Sequence, residues 1–527
     1  MATDAPSKSA SSPAPQPADL TVDVVVLGGG PVGENVAQYA IEGTDLTAVI
    51  VESELLGGEC SYYACIPSKA LLRPLAIADT AAHLPGITAP EVDREALLAS
   101  RDSWVSHYDD AGQVKWAEGA GMQVVRGHGR IVGEREVLVE PAAAPDGPTP
   151  ADLADGTTRA PAASSTPSAP AVPTRIHARR AVVVATGSEA VVPGPLRELA
   201  PWTSRDVTGV REVPEELVIV GGGVVAVEAA TWMAGLGSRV RLLVRGTSLL
   251  TGFEPFAGTH VRDALRALRV DVQFGASVLS GEREHARSTG LGRLHGGRVT
   301  LQVEDAGGRR EVSADEVLAA TGRRPRLAEV GLEAVGLTPQ DVTGAETTVS
   351  DDATGAPLPK WLQVVGDASG DVPLTHWGKY RARVIGQAIR AGATGEALEP
   401  VPERVPVPQV VFTDPQVTAV GLTEAEAREA GHDVVTAQVP FGGAAGSALL
   451  RDDVTGTAQL VVDRAARTLV GATFVGPEAS EMIHAATIAI VGQVPVHVLR
   501  HAVPSFPAVS ELWLRLLEEL PRELRST

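Results

Sequence analysis

The sequence predicts an α/β protein in which two similar strand–turn–helix–strand units precede a smaller α+β region at the C-terminal end. Two observations support this fold class. An apolar run leads into a glycine-rich turn twice, at 22–33 and again at 217–226, and such runs are typical of buried parallel strands. From about residue 401 the strands recur without such turns, a pattern that is typical of a more antiparallel sheet.

The first unit begins with the apolar run 22–27 and continues into the turn 28–33, which reads GGGPVG. A helical stretch follows, and a second strand at 47–51 ends at Glu52. In this context the glycines predict a Rossmann-like dinucleotide site, because they let the backbone approach a pyrophosphate at a helix N-terminus. Glu52 is expected to hold a ribose 2′-hydroxyl. The alternative is a glycine-rich turn in an unrelated α/β unit.

The stretch 57–69 (GGECSYYACIPSK) contains both cysteines of the 527-residue chain, Cys60 and Cys65. Residues five apart in a regular helix are separated by about 7.5 Å along the axis, whereas a disulfide requires Cα atoms roughly 4.4–6.8 Å apart. We therefore expect a turn or a distorted first helical turn, which Pro67 supports. A thiol at a helix N-terminus near Lys69 has a lowered pKa. The pattern indicates a redox disulfide; two structural cysteines or a metal site are the alternatives.

Several later segments extend the first unit. Residues 75–120 are predicted to be helical, and 123–130, 136–139 and 180–184 are predicted strands. The Pro/Ala/Ser/Thr-rich segment 141–174 is interpreted as a flexible insertion between two of them. Another strand precedes Gly366 and Asp367. We expect Asp367 to bond a ribityl hydroxyl or to cap the next helix.

The second unit differs from the first at the end of its second strand. Glu52 lies 24 residues after Gly28, and Arg245 lies 24 residues after Gly221. An acid selects a free ribose hydroxyl, whereas an arginine accommodates a 2′-phosphate. The sequence therefore predicts FAD in the first unit and a nicotinamide cofactor in the second, with a preference for NADPH. The alternative for Arg245 is a solvated charge at a strand end.

Composition excludes several classes of function. The net charge of −20 argues against nonspecific nucleic-acid binding and against an anionic membrane surface. Two cysteines in so long a chain do not make a secreted disulfide scaffold. Residues 1–20 are predicted to be a disordered tail and not a signal peptide. The sequence contains no run of about 18 apolar residues that would predict a transmembrane helix. We expect a cytoplasmic enzyme with no membrane and no nucleic-acid partner.

Further motifs are an A-T-G at 185–187 and again at 320–322, FTDP at 412–415 and GPEASEMI at 476–483. Together with the motifs above, they resemble those of the flavoprotein disulfide reductases (class I pyridine nucleotide-disulfide oxidoreductases), in dihydrolipoamide dehydrogenase-like and mercuric reductase-like form. The resemblance covers nearly all of 20–527. It implies an FAD domain at 21–190 and 326–400, an NAD(P) domain at 191–325, and an α+β dimerisation domain at 401–527 that makes a homodimer.

The resemblance also implies roles for individual residues. Cys65 would face the flavin, Cys60 would exchange with a substrate, and Lys69 would pair with a charge near the flavin. The residues expected to hold FAD are Gly28, Gly30, Gly33, Glu52, Gly58, Lys69, His128, Thr186, Gly187 and Asp367. The residues expected to contact the nicotinamide nucleotide are Gly221, Gly223, Glu228, Arg245 and Gly322. A metal ion is not expected.

One departure from the family bears on the chemistry. Disulfide reductases of this type end in H-P-T-x-S-E, in which the histidine of the partner subunit transfers a proton and the glutamate orients it. Here 506–511 reads FPAVSE, so Glu511 matches and Phe506 replaces the histidine. His501 lies five residues upstream and would substitute only if the turn were rearranged. The residues between the cysteines, SYYA, also differ from the usual L/V-N-V-G.

Three functional hypotheses follow. The first is a dihydrolipoamide dehydrogenase-like enzyme that acts on a small dithiol or disulfide. The second is an NAD(P)H:acceptor reductase, for example of quinones, for which a catalytic histidine is not needed. The third is a flavin-bound redox sensor or interaction protein with little turnover.

Overall fold

The structure is a computed structural model that describes residues 18–141, 172–344, 358–402 and 405–526. Most of the predicted tail and insertion lies outside the described residues. Residues 18–20, predicted to be disordered, belong to the first strand, and Thr174 begins another strand. These two strands pair from Ala18 and Thr174 onward. This backbone pairing extends the sheet beyond the apolar run that marks it in the sequence.

The first unit is a sheet with helices on its surface. Its elements are β1 (Ala18–Leu27), α1 (Pro31–Ile41), β2 (Ala48–Glu52), α2 (Gly58–Tyr62), α3 (Cys65–Ala82), α4 (Arg94–Trp104), α5 (Ala111–Gly119), β3 (Met122–Arg126), β4 (His128–Gly133), β5 (Glu136–Glu140) and β6 (Thr174–Val184). The prediction of continuous helix over 75–120 is wrong at 83–93. The predicted strand 123–130 is broken at Gly127, whose φ of +146° disfavours other residues.

The strand order of this sheet is β3-β2-β1-β6-β5-β4, and β16 (Leu362–Val364) also pairs with β6. The pairs β1–β2, β1–β6 and β16–β6 are parallel. Their carboxyl ends therefore meet at one edge, where Glu52 ends β2 and where Gly28 and Asp367 come after β1 and β16. Open α/β sheets bind ligands at this edge.

The second unit contains β7 (Ser188–Ala190), α6 (Gly194–Arg197), α7 (Ser204–Thr208), β8 (Glu216–Val220), α8 (Val224–Gly235), β9 (Arg239–Val244), α9 (Pro255–Ala267), β10 (Asp271–Phe274), β11 (Ser277–Arg283), β12 (Val299–Asp305), β13 (Gly308–Ala314), β14 (Glu316–Ala319) and β15 (Arg323–Pro325). The strands β10-β9-β8-β14 form a parallel sheet, and β11-β12-β13 form an antiparallel one. After it come α10 (Pro339–Val342), β16 and α11 (Thr375–Thr394).

The C-terminal region contains β17 (Gln409–Val411), β18 (Gln416–Gly421), α12 (Glu424–Glu429), β19 (Val434–Pro440), α13 (Ala445–Ala448), β20 (Thr457–Asp463), β21 (Thr468–Gly476), α14 (Ile483–Val491), α15 (Val496–Leu499), α16 (Leu512–Glu519) and α17 (Arg522–Arg525). Its strands form the antiparallel sheet β17-β18-β21-β20-β19. A 3₁₀ turn, Val509–Glu511, directly precedes α16. The predicted fold class, two α/β units followed by an α+β region, is confirmed.

The hydrophobic cores join these regions. Leu71 and Leu72 of α3 pack in one buried cluster with Trp232 of α8 and Val411 of β17. Buried apolar contacts of this kind dominate the stability of a fold. The helix that carries Cys65 is therefore fixed against both the second unit and the C-terminal region.

Candidate active site

The two cysteines lie on successive helices. Cys60 is in the short helix α2, and Cys65 is the first residue of α3, so a break in the helix separates them, as predicted. Both are free cysteines of intermediate exposure, and side-chain hydrogen bonding between the two thiols shifts the pKa of each. The Sγ of Cys65 also lies 3.5 Å from Oγ1 of Thr375, the first residue of α11.

The surroundings of the pair make its two thiols unequal. The hydrogen bond from Cys60, helped by Thr375 and the charge of Lys69, lowers the pKa of Cys65 to about 6 against the opposing effect of burial. The same hydrogen bond, together with burial, raises the pKa of Cys60. Cys65 also begins a helix, where the dipole favours negative charge. Cys65 is therefore the more acidic of the two thiols.

Lys69, one turn after Cys65, makes a contact that local sequence does not show. Its Nζ lies 2.9 Å from Oε2 of Glu228 in α8 and 4.6 Å from the ring centroid of Phe412. The backbone N–H of Phe412 donates to Oε1 of Glu228 at 2.8 Å. Glu228 is buried, so one carboxylate joins the cysteine helix, the second unit and the C-terminal region.

We expect Glu228→Ala to be strongly destabilising. It leaves the half-buried Lys69 without its carboxylate and the N–H of Phe412 without an acceptor, and leaving such donors unsatisfied costs about 1–3 kcal/mol. Urea denaturation should show a lower midpoint. Glu228→Gln, which keeps an acceptor for Phe412, should lose less, and equal losses for the two variants would contradict this account.

A cavity of about 650 Å³ lies at the carboxyl edge of the first sheet. A Cβ on Gly28 would lie 2.4 Å from the oxygen of Ala185, and one on Gly33 would lie 1.9 Å from the oxygen of Gly28. These two glycines are required by backbone packing. A Cβ on Gly30, in contrast, would meet only the Cα of Gly58, at 4.0 Å. The open side of Gly30 therefore faces the cavity at the N-terminus of α1. That arrangement fits a pyrophosphate.

The other residues predicted for this site lie around the same cavity. Glu52 accepts backbone hydrogen bonds of 2.7 Å from Gly29 and from Glu54, and burial raises its pKa against their effect. Asp367 accepts a hydrogen bond from Ser188. Each carboxylate keeps lone pairs for a hydroxyl donor. The cavity is also lined by other predicted residues, namely Gly58, His128, Thr186 and Gly187.

These features fit the adenine dinucleotide FAD. The open glycine face, the helix N-terminus and the two carboxylates match the pyrophosphate and the hydroxyl groups of such a cofactor. Cys60 and Thr375 line this cavity. Cys65 does not line the cavity itself, but its Sγ contacts the hydroxyl of Thr375. The assignment of Cys65 as the flavin-facing thiol stays a prediction.

A second cavity, of about 840 Å³, lies at the carboxyl edge of the second sheet. Its lining includes four residues that were predicted to contact the nicotinamide nucleotide, namely Gly221, Gly223, Arg245 and Gly322. A Cβ on Gly223 or Gly322 would meet no heavy atom within 4 Å. This open face fits a dinucleotide. Glu228 is not among the lining residues, and its oxygens are bonded to Lys69 and Phe412. Its role toward the nicotinamide stays a prediction.

Sequence reasoning missed several residues of the first cavity, namely Thr375, Tyr63, Arg205 and Arg326. Thr375 begins α11, more than 300 residues from Cys65, and local spacing carries no signal for such a contact. Tyr63 offered one signal, because it lies between the cysteines where the family usually has valine.

The residues of the C-terminal motif differ in their exposure. Phe506 is 76% exposed. Glu511 is buried, accepts a 3.0 Å hydrogen bond from Arg515, and has a second oxygen, Oε2, without a hydrogen-bond partner among the described residues. His501 is exposed, and its backbone N–H donates to the oxygen of Val498. In the sequence motif the position of the histidine is held by Phe506, whose ring cannot transfer a proton.

In 18–141, 172–344, 358–402 and 405–526, no helix is long and apolar enough to cross a membrane. The same residues contain no group of three or more His, Cys, Asp or Glu side chains arranged to hold a metal ion.

Comparison with known proteins identifies the family. Residues 22–342 match the family model "Pyridine nucleotide-disulphide oxidoreductase", and 407–516 match its dimerisation domain. The chain is 30% identical to dihydrolipoyl dehydrogenase of Haloferax volcanii over 94% of this chain and 95% of that protein. It is 27% identical to mercuric reductase of Staphylococcus aureus over 90% of this chain and 77% of that protein.

Solved structures share the fold. The HOCl-induced flavoprotein disulfide reductase RclA of Escherichia coli, solved as a Cu(II) complex, superposes with a TM-score of 0.73 at 21% identity, over 94% of this chain and 99% of that chain. LpdA of Mycobacterium tuberculosis gives the same values. The family is FAD-dependent and uses NAD(P)H as electron donor. With both family models matched and both cavities in place, the chain belongs to the pyridine nucleotide-disulphide oxidoreductases and is a flavoprotein disulfide reductase of the dihydrolipoamide dehydrogenase-like type.

Proposed function

We propose that this enzyme passes electrons between NAD(P)H and a small dithiol or disulfide through a redox-active Cys60–Cys65 pair. The observation that carries the proposal is the pair itself. Cys60 lies in α2 and Cys65 begins α3, and hydrogen bonding between the two thiols lowers the pKa of Cys65 to about 6. At neutral pH one thiol is thus present as the nucleophilic thiolate.

FAD, when bound, supplies two-electron transfer between a nicotinamide and a thiol pair. Gly28, Gly30, Gly33, Glu52 and Asp367 would hold it in the first cavity. Lys69, fixed by Glu228, keeps a positive charge near Cys65. These side chains bind and orient, and the chemistry with the substrate takes place at the two sulfur atoms.

A disulfide substrate would be reduced at the cysteine pair in two steps. Cys60 first passes its proton to the thiolate of Cys65, and its Sγ then attacks one sulfur of the substrate. This step forms a mixed disulfide and releases the first substrate sulfur, which takes the proton back from Cys65. The thiolate of Cys65 then attacks Cys60 Sγ, which forms the Cys60–Cys65 disulfide and releases the second thiol. Two electrons pass to the substrate, and the two released sulfurs each take up a proton. The reverse sequence oxidises a dithiol.

The alternative proposal is a non-disulfide acceptor, such as a quinone. It is supported by Phe506, because a phenyl ring cannot supply the protons that the released thiols require. Metal ions belong in the same test, since the related proteins include a mercuric reductase and a Cu(II) complex. This chain has two cysteines in total, so it offers no further thiols to pass a metal ion to the pair.

One acceptor panel separates these proposals. Purified holoenzyme would be given NADH or NADPH with lipoamide, glutathione disulfide, a quinone or Cu(II). Rapid lipoamide reduction supports the dithiol proposal. Quinone or Cu(II) reduction without disulfide reduction would reject it in favour of the alternative. If NADPH and NADH both failed to bleach the flavin, a sensor or interaction protein would be the better description. If the purified protein were colourless, the assignment of FAD to the first cavity would be rejected.

We further propose that the nicotinamide nucleotide is NADPH. Arg245 directly follows β9 and lines the second cavity, where a 2′-phosphate would meet its charge. We expect Arg245→Glu to raise the KM for NADPH by about 100-fold, since loss of a charged contact costs about 2–3 kcal/mol, with little change for NADH. A wild-type preference for NADH would sink this proposal.

The domain bounds and the homodimer are also proposals. The pairing of β16 with β6 supports assigning 326–400 to the FAD domain together with 21–190. The C-terminal region exposes apolar side chains that a second copy would cover, namely Ile488, Val491, Val498, Val503 and Phe506. Light scattering of the holoenzyme tests the dimer, and a monomer would reject it.

A further inference from the structure

The short helix α7 (Ser204–Thr208) packs against the segment that carries Cys60. Nε of Arg205 donates to Oε1 of Glu59 at 2.6 Å. The hydroxyl of Thr208 donates to the backbone oxygen of Tyr63 at 2.8 Å. Glu59 precedes Cys60 by one residue and Tyr63 follows it by three, so α7 holds the chain on both sides of Cys60.

Arg205 makes most of this contact. Its guanidinium lies 4.5 Å from the ring centroid of Tyr63, and Nη1 lies 2.9 Å from Oε2 of Glu54. A planar guanidinium can stack on an aromatic face and bond carboxylates at its edge at the same time. Arg323 and Arg326 also approach Glu59, but at 3.6 and 3.8 Å. The close hydrogen bond to Glu59 belongs to Arg205.

The helix α7 is itself held in place by a buried arginine. The buried Arg101 donates to the backbone oxygens of Thr208 and Val210. The ring of Tyr63 lies 5.5 Å, centroid to centroid, from the ring of the buried Tyr108. Arg205 therefore connects the cysteine segment to a packed support, which is what a precise positioning contact requires.

We propose that Arg205 is a positioning residue for the cysteine pair, because it fixes Glu59 and Tyr63 and thereby holds the thiol of Cys60 against Cys65. This inference rests on the proposed function of the two cysteines. It has two physical consequences. First, a segment that is already held in place loses less conformational freedom when the disulfide forms. Second, the positive charge of Arg205 offsets the negative charge of Glu59 beside Cys60.

The test measures the thiol–disulfide equilibrium of the holoenzyme in glutathione buffers. Two cysteine thiols and one glutathione disulfide give the Cys60–Cys65 disulfide and two glutathione thiols, which alkylation and mass spectrometry quantify. We expect Arg205→Gln to lower this equilibrium constant about tenfold, equivalent to about 30 mV. Arg205→Lys, which keeps the charge but not the planar stack, should recover part of it. Arg241→Gln, at an exposed pair with Asp271, should match the wild type.

A second readout follows the pH dependence of Cys65 alkylation. The groups that act on Cys65 are Cys60, Thr375, Lys69 and Glu228, and none of them is replaced. The hydrogen bond from Cys60 lowers the pKa of Cys65. If Arg205→Gln weakens this hydrogen bond, the rate of Cys65 alkylation should rise only at a higher pH than in the wild type. Loss of thermal stability with both readouts unchanged would mean a merely structural role and would overturn the inference. A wild-type pair that forms no disulfide would instead refute the proposed function itself.

Discussion

Replacing Cys60 with serine is expected to lower the turnover of disulfide substrates by more than about 10³-fold, because a hydroxyl at neutral pH cannot replace a thiol as nucleophile. Cys65 alone cannot complete the exchange, since the mixed disulfide with a substrate would have no second thiol to resolve it. Lipoamide and glutathione disulfide reduction with NADPH would be measured at a saturating nucleotide concentration.

The same variant discriminates between the two proposed acceptors. A quinone would not need Cys60, so its reduction should persist in Cys60→Ser at near the wild-type rate. Ser61→Ala, one residue further along α2, is the matched control and should retain both activities. If disulfide turnover survived in Cys60→Ser, the exchange would not occur at the cysteine pair, and the central proposal would fail.

The parts of the fold that the sequence could predict are those with local patterns. The turns at 28–33 and 221–226 lie between apolar strands and helices, and they line the two cavities. The break between Cys60 and Cys65 followed from helix geometry and from Pro67. In each case the physical cause lies within about twenty residues of chain, where spacing and residue type are sufficient evidence.

The parts that could not be predicted depend on contacts between distant segments. Lys69 and Glu228 are 159 residues apart, and Glu228 carries no local sign of its partner. Likewise Arg205 meets Glu59 across 146 residues. Side-chain pairing of this kind is set by how the units pack on each other. The backbone pairing of Ala18 with Thr174 is non-local as well, so the extension of β1 before its apolar run had no signal.

Replacing Phe506 with histidine is expected to raise dithiol oxidation about 10²–10⁴-fold, which is the usual contribution of a positioned acid–base group. The reason lies in what the chain has kept. Glu511 is buried and retains an oxygen, Oε2, with no hydrogen-bond partner among the described residues, and a histidine N–H would supply that partner. In a homodimer the new side chain would serve the cysteines of the partner subunit.

The pH dependence gives this prediction its sign. Histidine has an ordinary pKa of about 6.5 and must be neutral to accept a proton from a dithiol. The gain over wild type in dithiol oxidation should therefore be full above that pKa and fall away as the pH drops below it. Phe506→Leu, which alters the ring without adding a proton carrier, should show no gain. Adding Glu511→Gln to Phe506→His should remove part of the gain, because the amide carries no charge to stabilise the imidazolium. A Phe506→His enzyme as slow as wild type at every pH would mean that proton transfer does not limit this reaction, and the acceptor would then be sought among quinones and metal ions.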